Sequence, residues 1–148
     1  MEDAARKTDD PKDYVAESEI VVDAAPDAVW AALTDSAKMK EVMFGSTVTT
    51  DWKVGSPITY SGEWEGKKFE DKGKILELDK PKTFRSTHTA GSDPKHTEHE
   101  VTYRLAPEGK GTRVKISQTN NPSADAQAKS AKNWDMALKN LKKVVEGA

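Results

Sequence analysis

The chain carries three histidines, at positions 88, 96 and 99, and they are the first side chains to consider for chemistry. His88 and His99 flank the turn cluster Gly91-Ser92-Asp93-Pro94. A hairpin there brings the two imidazoles together across strands. Paired imidazoles can hold a proton, an anion or two coordination positions of a metal. A metal would need a third ligand, and none is clearly placed. His96 lies three residues from His99, so along a strand the two point to opposite faces. Asp71 with His88 or with His99 makes an acid–base pair. The plainer reading of both histidines is two ordinary sheet residues near a loop.

Other chemistries find little support. Cysteine is absent, which removes disulfides, thiolate nucleophiles and cysteine-ligated zinc. No Ser or Lys sits in a recognisable nucleophile motif. Gly45, Gly55, Gly62, Gly66 and Gly73 are dispersed, and none forms a run that cradles phosphate. An enzyme is therefore the less favoured class, and no cofactor or metal is expected. Trp30, Trp52, Trp64 and Trp134 are either core or the lining of an apolar binding space.

These residues need elements to position them. Tyr14–Val22 ends in the β-branched run SEIVV and reads as a strand. Pro26 and Asp27 suit a helix start, and Val29, Trp30 and Leu33 share one face of that helix. Thr34-Asp35-Ser36 stops it or caps a short second helix, which Gly45 ends. From Thr47 to Thr119 strands alternate with tight turns. Ile58, Tyr60, Gly62 and Trp64 form one strand face, and His99, Val101, Tyr103 and Leu105 form another. A two-residue turn at Glu65-Gly66 pairs Trp64 with Lys67. Tyr60 and Gly62 then share a face with Phe69, Asp71 and Gly73. In the later hairpin the matching register pairs His88 with His99 and Phe84 with Tyr103. After Pro122 the stripe Ala131, Trp134, Leu138, Leu141 and Val145 marks a long amphipathic helix, with Lys132, Lys139, Lys142 and Lys143 on its other side.

The order is one strand, short helices, five or six antiparallel strands and one long helix. The fold class is α+β: a curved antiparallel sheet of about six strands wrapped around the C-terminal helix. Such a sheet must cover one face, and only that helix is large enough to do so. The arrangement is a container. Its size at 148 residues is that of one domain. Residues 14–148 form it, and Met1–Asp13, with no large apolar residue beyond Met1, reads as a flexible tail.

Composition sets the remaining bounds. Lys and Arg number 23 against 25 Asp and Glu, for a formal net charge of -2. That balance gives no reason to expect nucleic acid or an anionic membrane as partner. No apolar run approaches the ~20 residues of a membrane span, and a cytoplasmic location is the default.

Four stretches carry a family resemblance: AAPDAVWAALTDSAKMKEVMFG at 24–45, TTDWKVGSPITYSGEWEGKKFEDKGKILELDKPKTF at 49–84, VTYRLAPEGKGTRVKISQ at 101–118 and NWDMALKNLKKVVE at 133–146. In this order and spacing the chain resembles the START-like, helix-grip (SRPBCC) superfamily. Within it, the chain is similar to the C-terminal domain of the activator of heat-shock protein 90 ATPase. The resemblance implies the helix-grip fold, but the superfamily hosts lipid carriers, hydrolases, cyclases and orphan proteins.

Three functions follow as expectations. The first is binding of a small hydrophobic or amphipathic molecule between sheet and helix, without chemistry. The second is a co-chaperone or stress-response module acting on a heat-shock protein 90-type ATPase. The third is a hydrolase or cyclase in the same cavity. The expected lining is Trp30, Tyr60, Trp64, Phe69, Asp71, Phe84, His88, His99, Tyr103, Trp134 and Leu138. A cavity of the usual ~300–1,000 Å³ is expected, with Trp64 and Trp134 on opposite walls.

Overall fold

The structure, a computed structural model, describes residues 14–147. The tail expected over Met1–Asp13 lies outside the described residues, as does the Trp64 side chain. Strand β1 (Ala16–Val22) leads into helices α1 (Pro26–Leu33) and α2 (Ser36–Val42). Six strands follow: β2 (Thr47–Thr50), β3 (Pro57–Trp64), β4 (Lys67–Asp79), β5 (Thr83–His88), β6 (His99–Glu108) and β7 (Gly111–Gln118). Helix α3 (Ala124–Glu146) closes the chain. The antiparallel sheet runs β1-β7-β6-β5-β4-β3-β2.

The sheet has seven strands, β1 and six after the short helices, the upper of the two counts expected. The strand that the patterning does not single out is β2, TVTT, with Val48 as its one buried side chain. Four mostly polar residues are too few to register as an alternating pattern. Both hairpin registers match the sequence reading: Trp64 pairs with Lys67, Tyr60 with Asp71, Phe84 with Tyr103 and His88 with His99.

Local chemistry explains the helix starts. Pro26 opens α1, where a missing N–H costs nothing, with Asp27 in the first turn. Asp35 caps α2, its carboxylate accepting from the amides of Ala37 at 2.9 Å and Lys38 at 3.2 Å. Ser123 caps α3 by accepting from the Ala126 amide at 3.1 Å. Met39 and Val42 of α2, and Ala137, Leu138 and Leu141 of α3, enter one core with Val29, Trp30 and Leu33 of α1. The sheet's inner face supplies Ile58, Ile75, Phe84, Tyr103, Val114 and Ile116 to the same core.

Gly73 has a positional reason. A Cβ there would collide with the Thr87 carbonyl, where β4 presses on β5. The β4–β5 register shifts between Ile75 and Glu77. This irregularity bends the longest strand and curves the sheet around α3.

The start of α3 is fastened by polar groups. Asn121, almost fully buried, donates to the Tyr14 carbonyl at 2.9 Å and accepts from Ser130 Oγ at 2.8 Å. Gln127 donates to the Val15 carbonyl at 2.8 Å, and the Trp134 indole donates to Gln118 Oε1 at 2.7 Å. This clasp joins the ends of β1, β7 and α3.

Candidate functional site

A cavity of about 140 Å³, partly open to solvent, lies where the sheet curves past α3. Met43 and Phe44 come from the end of α2, and Ser46 from the turn after it. Tyr60, Phe69, Asp71, Ser86, His88 and Val101 come from β3 to β6, and Trp134 from α3. The wall is mainly apolar, with its polar groups gathered on the sheet side.

Those polar groups form a connected cluster. Asp71 Oδ2 stands 3.1 Å from His88 Nε2, and Asp71 Oδ1 accepts the Gly91 amide at 3.0 Å. Burial raises the Asp71 carboxyl's proton affinity, but the His88 and Gly91 hydrogen bonds outweigh it and leave its pKa below the ordinary value. An ionised carboxylate only accepts, so Nε2 of His88 is the donor. The Tyr60 ring lies edge-on to His88, with centroids 5.6 Å apart. Burial, reinforced by the Asp71 charge, pushes the Tyr60 phenol far up, against the lowering effect of a hydrogen bond with Ser86. Tyr60 is therefore a neutral hydroxyl.

The structure divides the ten expected lining residues whose side chains it describes, Trp64 being the eleventh. It brings Tyr60, Phe69, Asp71, His88 and Trp134 to the cavity wall. Trp30, Phe84, Tyr103 and Leu138 lie in the solid core. Phe84 stacks on Tyr103 at 5.3 Å, Trp52 meets Phe84 edge-on at 5.9 Å, and Trp134 meets Tyr103 edge-on at 6.1 Å. These rings fill space that an open container would leave for a ligand, which is why the cavity falls below the expected range. His88 and His99 pair through their backbones but bond apart: His99 Nδ1 donates to the Thr119 carbonyl at 2.8 Å. The Asp71 pairing is thus with His88.

Sequence reasoning does not single out Met43, Phe44, Ser46, Ser86 or Val101 as wall residues. Phe44 carries a faint signal. A large apolar residue just before Gly45 can be left outside the core, and here it is 59% exposed with φ 57°. A second groove of about 380 Å³ between β1 and α3 is shallow and walled mostly by alanine, with no converging polar cluster. Among the described residues, no helix is long and apolar enough to cross a membrane.

A curved antiparallel sheet gripping a C-terminal helix, with a cavity at one end of their contact, defines a helix-grip protein. Solved structures share it. A Cytophaga hutchinsonii protein is 38% identical, with a TM-score of 0.75 over 90% of this chain and 94% of that one. The Aha1 dimer from Colwellia psychrerythraea is 24% identical, with a TM-score of 0.71 over 89% of this chain and 96% of that one. A Chromobacterium violaceum protein, 24% identical, reaches a TM-score of 0.79 over 90% of this chain and 97% of that one. The family model of the Activator of Hsp90 ATPase homolog 1-like proteins matches residues 23–146, and the chain belongs to that family. A comparison with curated proteins returns no match.

Proposed function

We propose that this protein binds a small apolar or amphipathic molecule in the cavity beside Trp134, without transforming it. The observation that carries the reading is the wall itself. Met43, Phe44, Phe69, Val101 and Trp134 offer apolar contact, and Tyr60, Asp71, Ser86 and His88 converge on one side. An apolar pocket with a few converging polar groups is the usual form of a small-molecule site. Its volume is close to that of an engineered cavity of about 150 Å³ that admits benzene. One ring, or one end of a longer amphipath, is the matching size. Calorimetric titration with single-ring ligands tests this, and binding should carry a negative heat-capacity change. Absence of binding across neutral and charged ring compounds would remove the reading.

Family membership favours a second reading, docking on a heat-shock protein 90-type ATPase. The exposed face of α3 with Lys132, Lys139 and Lys143 is the surface it would use. A pull-down with ATPase readout, against charge reversal at Lys132 and Lys143, decides it. The acid–base pair Asp71–His88 has the geometry that a hydrolase or cyclase would need. Yet Ser86 shares its hydrogen bond with Tyr60, and no nucleophile is assigned, so catalysis ranks third.

A further inference from the structure

Phe44, Tyr60, Phe69 and Trp134 all stand in the cavity wall. Three of these rings are held in place. The Phe69 ring lies against Gly62, where even a Cβ would come within 3.0 Å of its Cζ, so the missing side chain is what seats the ring. The Trp134 indole is tied to Gln118 at 2.7 Å, and the Tyr60 ring meets His88 edge-on. Phe44 is 59% exposed, so its ring lies on the cavity's open side. The face of an aromatic ring carries negative potential and attracts a cation, more strongly as water is excluded.

The charges in the wall point the same way. Asp71 is its carboxylate, and among the described wall residues there is no Lys or Arg. The Asp71 side chain is 22% exposed and that of His88 28%, so both are open to a ligand. His88 and Gly91 each donate to one oxygen of Asp71, which leaves each oxygen a further lone pair. In its neutral form His88 makes that bond and leaves the negative charge in place. An ammonium N–H meets this charge as a charge-assisted hydrogen bond. A second anion meets it as repulsion, at a cost that grows as water is excluded.

We infer that the cavity takes an organic ammonium: a single-ring amine whose protonated nitrogen stands at Asp71 and whose ring packs against Phe69 and Trp134. This rests on the binding reading above and names its ligand class. Fatty acids and other anionic amphipaths are thereby disfavoured, although their tails are apolar enough to enter.

Three ring compounds of similar size separate the possibilities in calorimetric titrations of the full chain at neutral pH: benzylammonium, a cation; benzyl alcohol, its neutral counterpart; and benzoate, an anion. Benzylammonium should bind roughly tenfold more tightly than benzyl alcohol, from the carboxylate contact and the ring–cation attraction together. Benzoate should be the weakest. Asp71→Asn, checked for folding by its melting curve, should bring benzylammonium and benzyl alcohol to the same affinity. Phe69→Leu, at a part-buried position, is the second variant and should weaken benzylammonium several-fold. An amine that binds no better than the alcohol overturns the inference, and so does a preference for benzoate. An amine advantage that survives in Asp71→Asn overturns it as well. Unchanged amine affinity in Phe69→Leu would put the ligand outside this cavity, with the same result. If none of the three binds while neutral hydrocarbons of ring size do, the inference falls and the binding reading stands. If those hydrocarbons also fail to bind, both fall.

Discussion

The contact between α3 and the sheet has two ends that share one helix and differ in almost everything else. At the C-terminal half, Leu138 and Leu141 are sealed, 2% and 0% exposed, against a core that includes both short helices. At Trp134 the same helix stripe faces a cavity whose far side is polar. Aliphatic side chains from several elements fill the first end, so little space is left between them. The second end is built from flat rings and from groups that must keep hydrogen bonds, and such parts leave a gap. Amphipathic periodicity alone cannot separate the two, because Trp134 and Leu138 occupy equivalent positions on the stripe. What separates them is the partner on the sheet. A helix-grip domain thus divides one interface into a half that stabilises and a half that remains available.

The sharpest way to break this contrast is Leu138→Ala. At the sealed end it should cost roughly 2–5 kcal/mol, read from urea unfolding, because a cavity replaces packed atoms. A cost under about 1 kcal/mol would mean that the two ends are packed alike.

Asp71→Asn comes next. It removes the charge in the hydrogen bond with His88 and should cost about 1.5–3 kcal/mol near neutral pH. The sign of its pH dependence follows from the Asp71 pKa, which folding lowers from an ordinary value of 3.8. The contribution is complete above that value and is lost as pH falls through it toward the folded pKa. Urea melts from about pH 7 down to about pH 3 should therefore show wild type and variant converging at the acid end. Curves that stay parallel would show that the paired carboxylate contributes nothing.

Trp134→Phe keeps most of the ring and loses the indole bond to Gln118. It should cost about 1 kcal/mol, and a double-mutant cycle with Gln118→Ala should show the two changes to be non-additive. Lys139→Ala should change stability by less than about 0.5 kcal/mol. Its ammonium lies 3.9 Å from Asp135 on the exposed face, and surface pairs of this kind contribute little. A Lys139 cost comparable to that of Leu138 would mean that the helix is rotated.

The fold is legible in the sequence because its signals are periodic. Alternation in Ile58–Trp64 and His99–Leu105, with the two-residue turn at Glu65-Gly66, sets registers that agree with the structure. Strand β2 is not legible, since TVTT is too short for a period to appear. The candidate site is legible on the sheet, where register places Tyr60, Asp71 and His88. On the helices it is legible only in part: Trp134 reaches the wall, while Trp30 and Leu138 stay in the core. Whether Trp30 faces the core or the cavity depends on packing angles, which no spacing encodes. The occupancy of the gap is likewise a three-dimensional property: Phe84, Tyr103 and Trp134 reduce it by how their rings stack, and composition states only that the rings exist.

The clasp around Asn121 has a consequence beyond satisfying buried amides. Contact between apolar surfaces is nearly indifferent to sliding, so Leu138 and Leu141 alone would let α3 shift along its axis at small cost. The bonds from Asn121, Gln127, Ser130 and Trp134 run to acceptors at fixed places, Asn121 reaching both the Tyr14 and the Gln118 carbonyl, and a slip of a single residue would break them together. They act as a detent on the helix, fixing its travel while the hydrocarbon fixes its adhesion. Because Trp134 belongs to that detent, the position of the cavity wall is indexed to the backbone carbonyls of Tyr14 and Val15. Anything that tugs on the start of β1 is therefore geared, through four side chains, to the width of the space beside Trp134.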